Sequence, residues 1–277
     1  MAITVYDRNG GKDFGENVDS RFAGIDRLYG AGAVARLAKK HVAIVGLGGV
    51  GSWAAEALAR SGIGKMTLID ADDVCVSNTN RQSHALEGSY GRMKVEAVAE
   101  RLRAINPLIV VEPVAQFVTT KNLEEMLGRP FDAVIDACDA LRVKVDMIAF
   151  CKRRKIPIVV SGSAGGRADP TLITARDLTR TEHDVLLGLV RGKLREDYGW
   201  TRNPKRYFGV QAVFSRENVN YPQADGTVCK TRAPDAETGL KLDCSGGLGA
   251  AMHVTATFGM VAAARCIERL LDRKKLS

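Results

Sequence analysis

A chain of 277 residues with 45% hydrophobic residues is long and apolar enough to bury its own core, as one elaborated domain or two small ones. Its six cysteines form no C-x-x-C pair, which argues against a zinc ribbon or a thioredoxin-like site, and neither a signal peptide nor an apolar run of ~18 residues occurs; a cytoplasmic protein with reduced thiols and no transmembrane segment is expected. The formal charge of +8 is uneven, with 13 Lys and Arg against 6 Asp and Glu over residues 151–210, and this points to a polyanionic partner.

From His41 the pattern reads as a strand (HVAIV), a glycine turn, a helix from about Val50 to Ser61, and a second strand (MTLID) ending at Asp70. A helix spanning about Gly91 to Ile105 stops at Asn106-Pro107. Strands near Ile109 to Pro113 and Ala133 to Asp136 flank a short helix after Thr119. A helix from about Arg142 to Lys155 then leads into the strand IPIVVS. Strands alternating with helices need crossover connections, so the expected fold class is α/β: a Rossmann-like, mostly parallel sheet with a C-terminal α+β extension. Past Ser161 the periodicity weakens. It leaves a basic helix near Asp184 to Asp197, a strand at 210–215, a long loop over 216–247 in contact with ligand or partner, and an Ala-rich closing helix from Leu248 to Leu271.

Gly46, Gly48 and Gly51 form G-x-G-x-x-G directly after a strand and at the opening of a helix, with Gly49 inside the same turn. Glycines let a backbone approach phosphates, and the helix start favours their charge. Asp70, at the end of the next strand about 20 residues on, stands where a carboxylate accepts hydrogen bonds from ribose hydroxyls; taken alone it predicts NAD, and it can also cap a turn.

The loop ADDVCVSNTNRQ places Asp72, Asn78, Arg81 and Gln82 just outside the carboxyl edge of the sheet, where open α/β folds bind ligands. With Lys94 this set suits a triphosphate better than a nicotinamide, because its cations neutralise charge on phosphoryl oxygens; the competing reading of Arg81 and Lys94 is solvated surface charge. Asp139, where FDAVID runs into Ala-Cys-Asp, lies at the same edge and reads either as a ligand for magnesium or as the N-cap of the next helix.

GLGGVG, LIDADDVCVSNTNRQ, Lys94 and DACD together resemble the ubiquitin-activating-enzyme-like superfamily, whose members adenylate carboxylates with ATP. The resemblance implies that Gly46, Gly48, Gly49, Gly51, Asp70, Asp72, Asn78, Arg81 and Lys94 hold ATP. It places a catalytic Mg2+ on Asp139, leaves a monovalent alkali cation open, and makes Arg21, in SRFAGIDRLYG, a candidate to reach a nucleotide across a homodimer. Gly24 stands where sulfur-carrier activators have a second arginine. The implied division is a flexible stretch over 1–20, a Rossmann-like ATP-binding adenylation domain over 21–165, and a substrate-binding and dimerisation region over 166–277.

SGSAGGRADPT, YPQADGTVC and LDCSGGLGAAMHVTATFG are similar to the branch of that superfamily acting on threonylcarbamoyladenosine in tRNA. The substrate carboxylate is then that of a threonyl group beside the anticodon, activated by ATP so that the neighbouring carbamoyl nitrogen closes a ring. Lys152, Arg153, Arg154, Lys155, Arg191, Lys193, Arg195, Arg202, Lys205 and Arg206 become candidate contacts to tRNA phosphates, against the reading of Lys152 to Lys155 as cations favoured by a helix end. Cys244, ahead of Cys229, is the candidate thiol for a covalent or sulfur-handling step, although a lone cysteine is more often a small buried hydrophobe. His84 is placed near substrate and His253 in the core. The alternatives are an adenylating activator of a small ubiquitin-like sulfur carrier, disfavoured by the missing zinc pairs, and a partner of cysteine-desulfurase sulfur-relay proteins.

Overall fold

The runs rich in Val and Ile form the strands of one sheet, and helices cover both of its faces. The computed structural model describes residues 20–223, 225–231 and 248–271. In chain order the elements are α1 (Ala23–Tyr29), α2 (Ala33–Leu37), β1 (His41–Val45), α3 (Gly51–Ala59), β2 (Lys65–Ile69), α4 (Lys94–Ile105), β3 (Val110–Val114), α5 (Leu123–Leu127), β4 (Ala133–Asp136), α6 (Leu141–Arg153), β5 (Ile158–Ser161), β6 (Ile173–Asp177), α7 (Val185–Tyr198), β7 (Gln211–Ser215), β8 (Tyr221–Pro222), β9 (Val228–Cys229) and α8 (Met252–Leu270). The seven-stranded sheet runs β3-β2-β1-β4-β5-β7-β6, parallel throughout except for β6, which pairs antiparallel with β7.

Alternation along each strand divides the core in two. Val42 and Ile44 of β1, with Met66 and Leu68 of β2, face a layer built from α3, α4 and α8; Ala43 and Val45 face a second layer built from α5, α6 and α7. Helix α8 packs on α3 and across β4, β5, β6 and β7, so residues past 165 share the sheet of those before it. The helices approach closely at Gly259, where an added Cβ would stand 2.5 Å from the Val50 carbonyl oxygen.

Four elements depart from the sequence expectations. The closing helix α8 starts at Met252 instead of Leu248, because the backbone of its N-cap Ala251 is extended. Helix α4 begins at Lys94 instead of Gly91, because Gly91 adopts φ +79° and Met93 forms a β-bridge with Asp73. Strand β6 is an edge strand, half-exposed and without clean alternation, and carried no readable signal. The stretch expected as loop over 216–247 contains the β8-β9 hairpin. Except for Ser20, the stretch expected to be flexible at the N-terminus lies outside the described residues, as does Cys244.

Candidate active site

Strands β1, β2, β4 and β5 end at one edge of the sheet, and the loops that follow them enclose a cavity of about 640 Å3. Ligands of open α/β sheets bind in this crevice. Its first wall is the glycine turn. Gly46 takes φ +87° and donates its N–H to the Ile69 carbonyl at 2.9 Å. A Cβ on Gly51 would lie 1.8 Å from the Gly46 carbonyl oxygen, so the turn closes onto α3 only with glycine there. A Cβ on Gly48 would meet nothing within 4 Å: this backbone faces open space at the start of α3, which is the room a phosphate needs. Gly49 packs against Thr255 of α8.

Asp70, just past β2, is buried and accepts N–H groups from Leu47 at 2.6 Å and Asp72 at 2.9 Å, which fixes its carboxylate between the glycine turn and the next loop. Lys94 opens α4 with its side chain almost fully buried, and its ammonium lies 2.7 Å from the Asp72 carboxylate. Arg81 is held from behind: Trp53 Nε1 donates to its carbonyl at 2.9 Å, while its guanidinium donates to the Ser77 carbonyl and to Asn80 Oδ1, each at 2.9 Å. Asn80 in turn donates to the Ala250 carbonyl at 2.8 Å and so joins this loop to the segment before α8. Asn78 is buried, its Oδ1 accepting the Cys75 N–H at 3.1 Å. Gln82 lines the cavity with a buried Oε1 that has no hydrogen-bond partner among the described residues.

Asp139 is exposed at the cavity rim. It does not cap α6, whose N-cap is Ala140 with no side-chain bond, so the capping alternative falls away. Among the described residues no cluster of three or more His, Cys, Asp or Glu stands ready for a metal. A single carboxylate beside a phosphate site nevertheless fits magnesium, which is commonly held by one or two carboxylates plus phosphate oxygens.

Lys144 is the residue the sequence reading missed. It sits wholly buried on α6 with its ammonium 2.8 Å from the equally buried Asp136. Burial opposes its charge, but Asp136 and neighbouring acidic groups more than offset that, and its pKa stands above the ordinary lysine value. The available signal was position: Lys144, Ile148 and Cys151 share one buried stripe of α6.

The remaining candidates are scattered. Arg21 is exposed on a short 3-10 helix beside Phe22, whose ring packs on Gly62 at the opposite edge of the sheet from the cavity. His84 is buried with neither ring nitrogen bonded among the described residues; burial first, then Lys94 and Arg101, pull its pKa down to about 4. His253, expected in the core, is exposed in the first turn of α8, where Nε2 lies 3.1 Å from the Ala168 carbonyl oxygen. Cys229 is half-buried on β9, its thiol donating to the Thr231 carbonyl at 2.8 Å.

Lys152 and Lys155 precede β5, and Arg202, Lys205 and Arg206 precede β7, so all five lie at the amino edge of the parallel sheet, opposite the cavity. Arg153 and Arg154 stack on Phe150, and Arg154 also pairs with Glu124. Arg191 is bound internally to Thr181, Lys193 pairs with Glu196 at 2.8 Å, and Arg195 covers the Phe208 ring.

A glycine turn and a cationic rim on one edge of a parallel sheet place the molecule among the Rossmann-like nucleotide-binding proteins. The chain belongs to the ThiF family, which matches residues 21–276. It is 50% identical over 253 residues to the tRNA threonylcarbamoyladenosine dehydratase of Escherichia coli K12, covering 91% of this chain and 94% of the relative. It is 46% identical over 275 residues to the Haemophilus influenzae protein of the same description, covering 99% and 100%. The solved structure of the E. coli dehydratase TcdA in complex with ATP superposes with a TM-score of 0.80 at 45% identity, covering 91% of this chain and 94% of that one. Among the described residues no helix is long and apolar enough to cross a membrane.

Proposed function

We propose that this protein is an ATP-dependent tRNA threonylcarbamoyladenosine dehydratase, acting on the nucleoside adjacent to the anticodon. The observation that carries the proposal is the cavity itself: an open glycine cradle, the fixed Asp70 carboxylate and the Arg81 and Lys94 cations share one sheet edge, in a chain half identical to a dehydratase. Asp70 takes the ribose. Gly48, Gly49 and Gly51 receive the phosphates through backbone N–H groups, while Gly46, its own N–H held by the Ile69 carbonyl, shapes the turn beneath them; Asn78, Asp72, Arg81 and Lys94 stand around them, and Asp139 holds magnesium. ATP supplies the group that masks the threonyl carboxylate's negative charge. Arg81 and Lys94 neutralise the charge that grows on the phosphoryl oxygens. Ring closure by the carbamoyl nitrogen is intramolecular and needs orientation more than a strong base.

The tRNA contacts lie on the exposed cations at the amino edge, and the chain acts as a homodimer in which Arg21 serves the partner's nucleotide. Activation of a small sulfur carrier is the weaker reading. The molybdopterin-synthase adenylyltransferase of E. coli is 34% identical over only 51% of this chain.

The test incubates the chain with ATP, magnesium and threonylcarbamoylated tRNA and weighs the nucleosides after digestion. Loss of one water from the modified nucleoside supports the reaction. An unchanged mass with ATP bound rules it out.

A further inference from the structure

Three walls of the cavity meet over a buried ionic floor. At the end of β4, Asp136 Oδ2 faces the Lys144 ammonium at 2.8 Å, with neither side chain exposed. Its Oδ1 accepts from the Cys138 N–H at 3.2 Å and from the Cys138 thiol at 3.0 Å. Both groups belong to the loop that delivers Asp139. The same loop carries the glycine turn, since a Cβ on Gly46 would stand 3.0 Å from the backbone of Ala137 and Cys138. The third wall, residues 161–165, rests on Asp184, whose carboxylate accepts the Ser163 N–H at 2.8 Å and the Leu187 N–H at 2.9 Å and leaves no room for a side chain on Gly162. Asp184 and Lys144 attract each other across this floor.

Burying a lysine and a carboxylate is costly, and an apolar pair of similar volume often folds as well or better. What the pair supplies is register: a fixed Asp136 fixes the loop to Asp139 and the backbone under the glycine turn. Asp139 has no hydrogen bond of its own among the described residues, so its position depends on that loop.

We propose that Lys144 and Asp136 are positioning residues for the activation step, holding the loop of Asp139 and the glycine turn in reactive register without touching substrate. This rests on the reaction proposed above. The test is the double variant Lys144→Met with Asp136→Asn, which removes both charges together. Its melting temperature and its affinity for tRNA are expected to match wild type, while kcat at saturating ATP and tRNA falls about tenfold or more, the scale on which small misplacements act. A folded double variant with wild-type kcat overturns the proposal. Should that variant not fold, Lys144→Gln with Asp136→Asn decides, since it replaces the ion pair by two amides and leaves neither charge of the pair without its partner: a comparable loss of kcat with unchanged tRNA affinity supports the proposal, and wild-type kcat overturns it. Wild-type protein run alongside separates the two claims. If it fails to dehydrate the tRNA, the reaction falls, and ATP affinity measured by calorimetry then decides the floor, a loss of about tenfold in the variant supporting it and equal affinity overturning it.

Discussion

The ammonium of Lys94 is anchored 2.7 Å from the Asp72 carboxylate, with the lysine side chain 8% exposed and the aspartate 52%. The backbone repeats the link, since the Lys94 N–H donates to the Asp72 carbonyl at 3.0 Å and the Asp72 N–H donates to Asp70. The Asp70 carboxylate and the Lys94 ammonium are thereby one mechanical unit. A point charge so confined acts by where it sits.

Lys94→Ala should therefore cost about a hundredfold or more in kcat/KM, the scale of removing a preorganised charge, while the melting temperature changes little. Lys94→Arg should recover little of it, because a planar fork does not fit the ammonium's place. Steady-state kinetics with ATP and modified tRNA read both, and an unchanged rate in Lys94→Ala would remove the residue from the mechanism.

The glycine turn separates fold from binding at two positions three residues apart. Gly51→Ala forces a Cβ to within 1.8 Å of the Gly46 carbonyl oxygen, a backbone atom that cannot swing aside. We expect a loss of about 3 kcal/mol or more, seen as a large drop in the denaturation midpoint. Gly48→Ala meets nothing within 4 Å, so stability should hold while calorimetry shows ATP binding weakened about tenfold, because the methyl occupies phosphate space. Equal ATP affinity in Gly48→Ala would move the phosphates elsewhere.

How much of this was legible in the sequence follows from what each signal encodes. The strands HVAIV, AVID and IVVS were readable because apolar β-branched runs between helices have few other places to go, and GLGGVG because its strand-to-helix context is narrow. Strand β6 was not, since Ile173, Thr174 and Ala175 are each half-buried whichever face they occupy, and without a dry face opposite a wet one the strand has no alternation to read. The Trp53 hydrogen bond that steadies Arg81 joins residues 28 apart and leaves no local trace. The side on which Lys152 to Lys155 stand was available all along: a run that precedes a parallel strand must lie at the sheet's amino edge, away from a site at the carboxyl edge.

Acid should expose His84. Its pKa, lowered from 6.5 to about 4, means the folded protein holds it neutral while the unfolded chain protonates it below 6.5. Unfolding then takes up a proton, so this residue contributes no penalty above pH 6.5 and destabilises the fold progressively as pH falls toward 4, by roughly 3 kcal/mol at the limit. His84→Leu removes that dependence. Thermal melts of both proteins between pH 7 and 4 should show the wild type losing stability more steeply, and parallel curves would mean that His84 is not held neutral.

The amino-edge cations make the last prediction, because they stand a strand's length from the chemistry. Four or five residues at about 3.3 Å each put roughly 15 Å between the two edges. Lys152 and Lys155 flank a groove of about 260 Å3 with Arg269, and among the described residues no carboxylate lines it. Reversing both lysines to glutamate should weaken tRNA binding and flatten its logarithmic dependence on salt by about one unit for each phosphate no longer neutralised, while ATP affinity stays at the wild-type value. Arg191 is half-buried and held to Thr181 inside the fold, so Arg191→Ala should lower stability without changing the salt slope. Binding curves at several potassium chloride concentrations decide between them. An unaltered slope in the lysine variant would place the tRNA on another face of the protein.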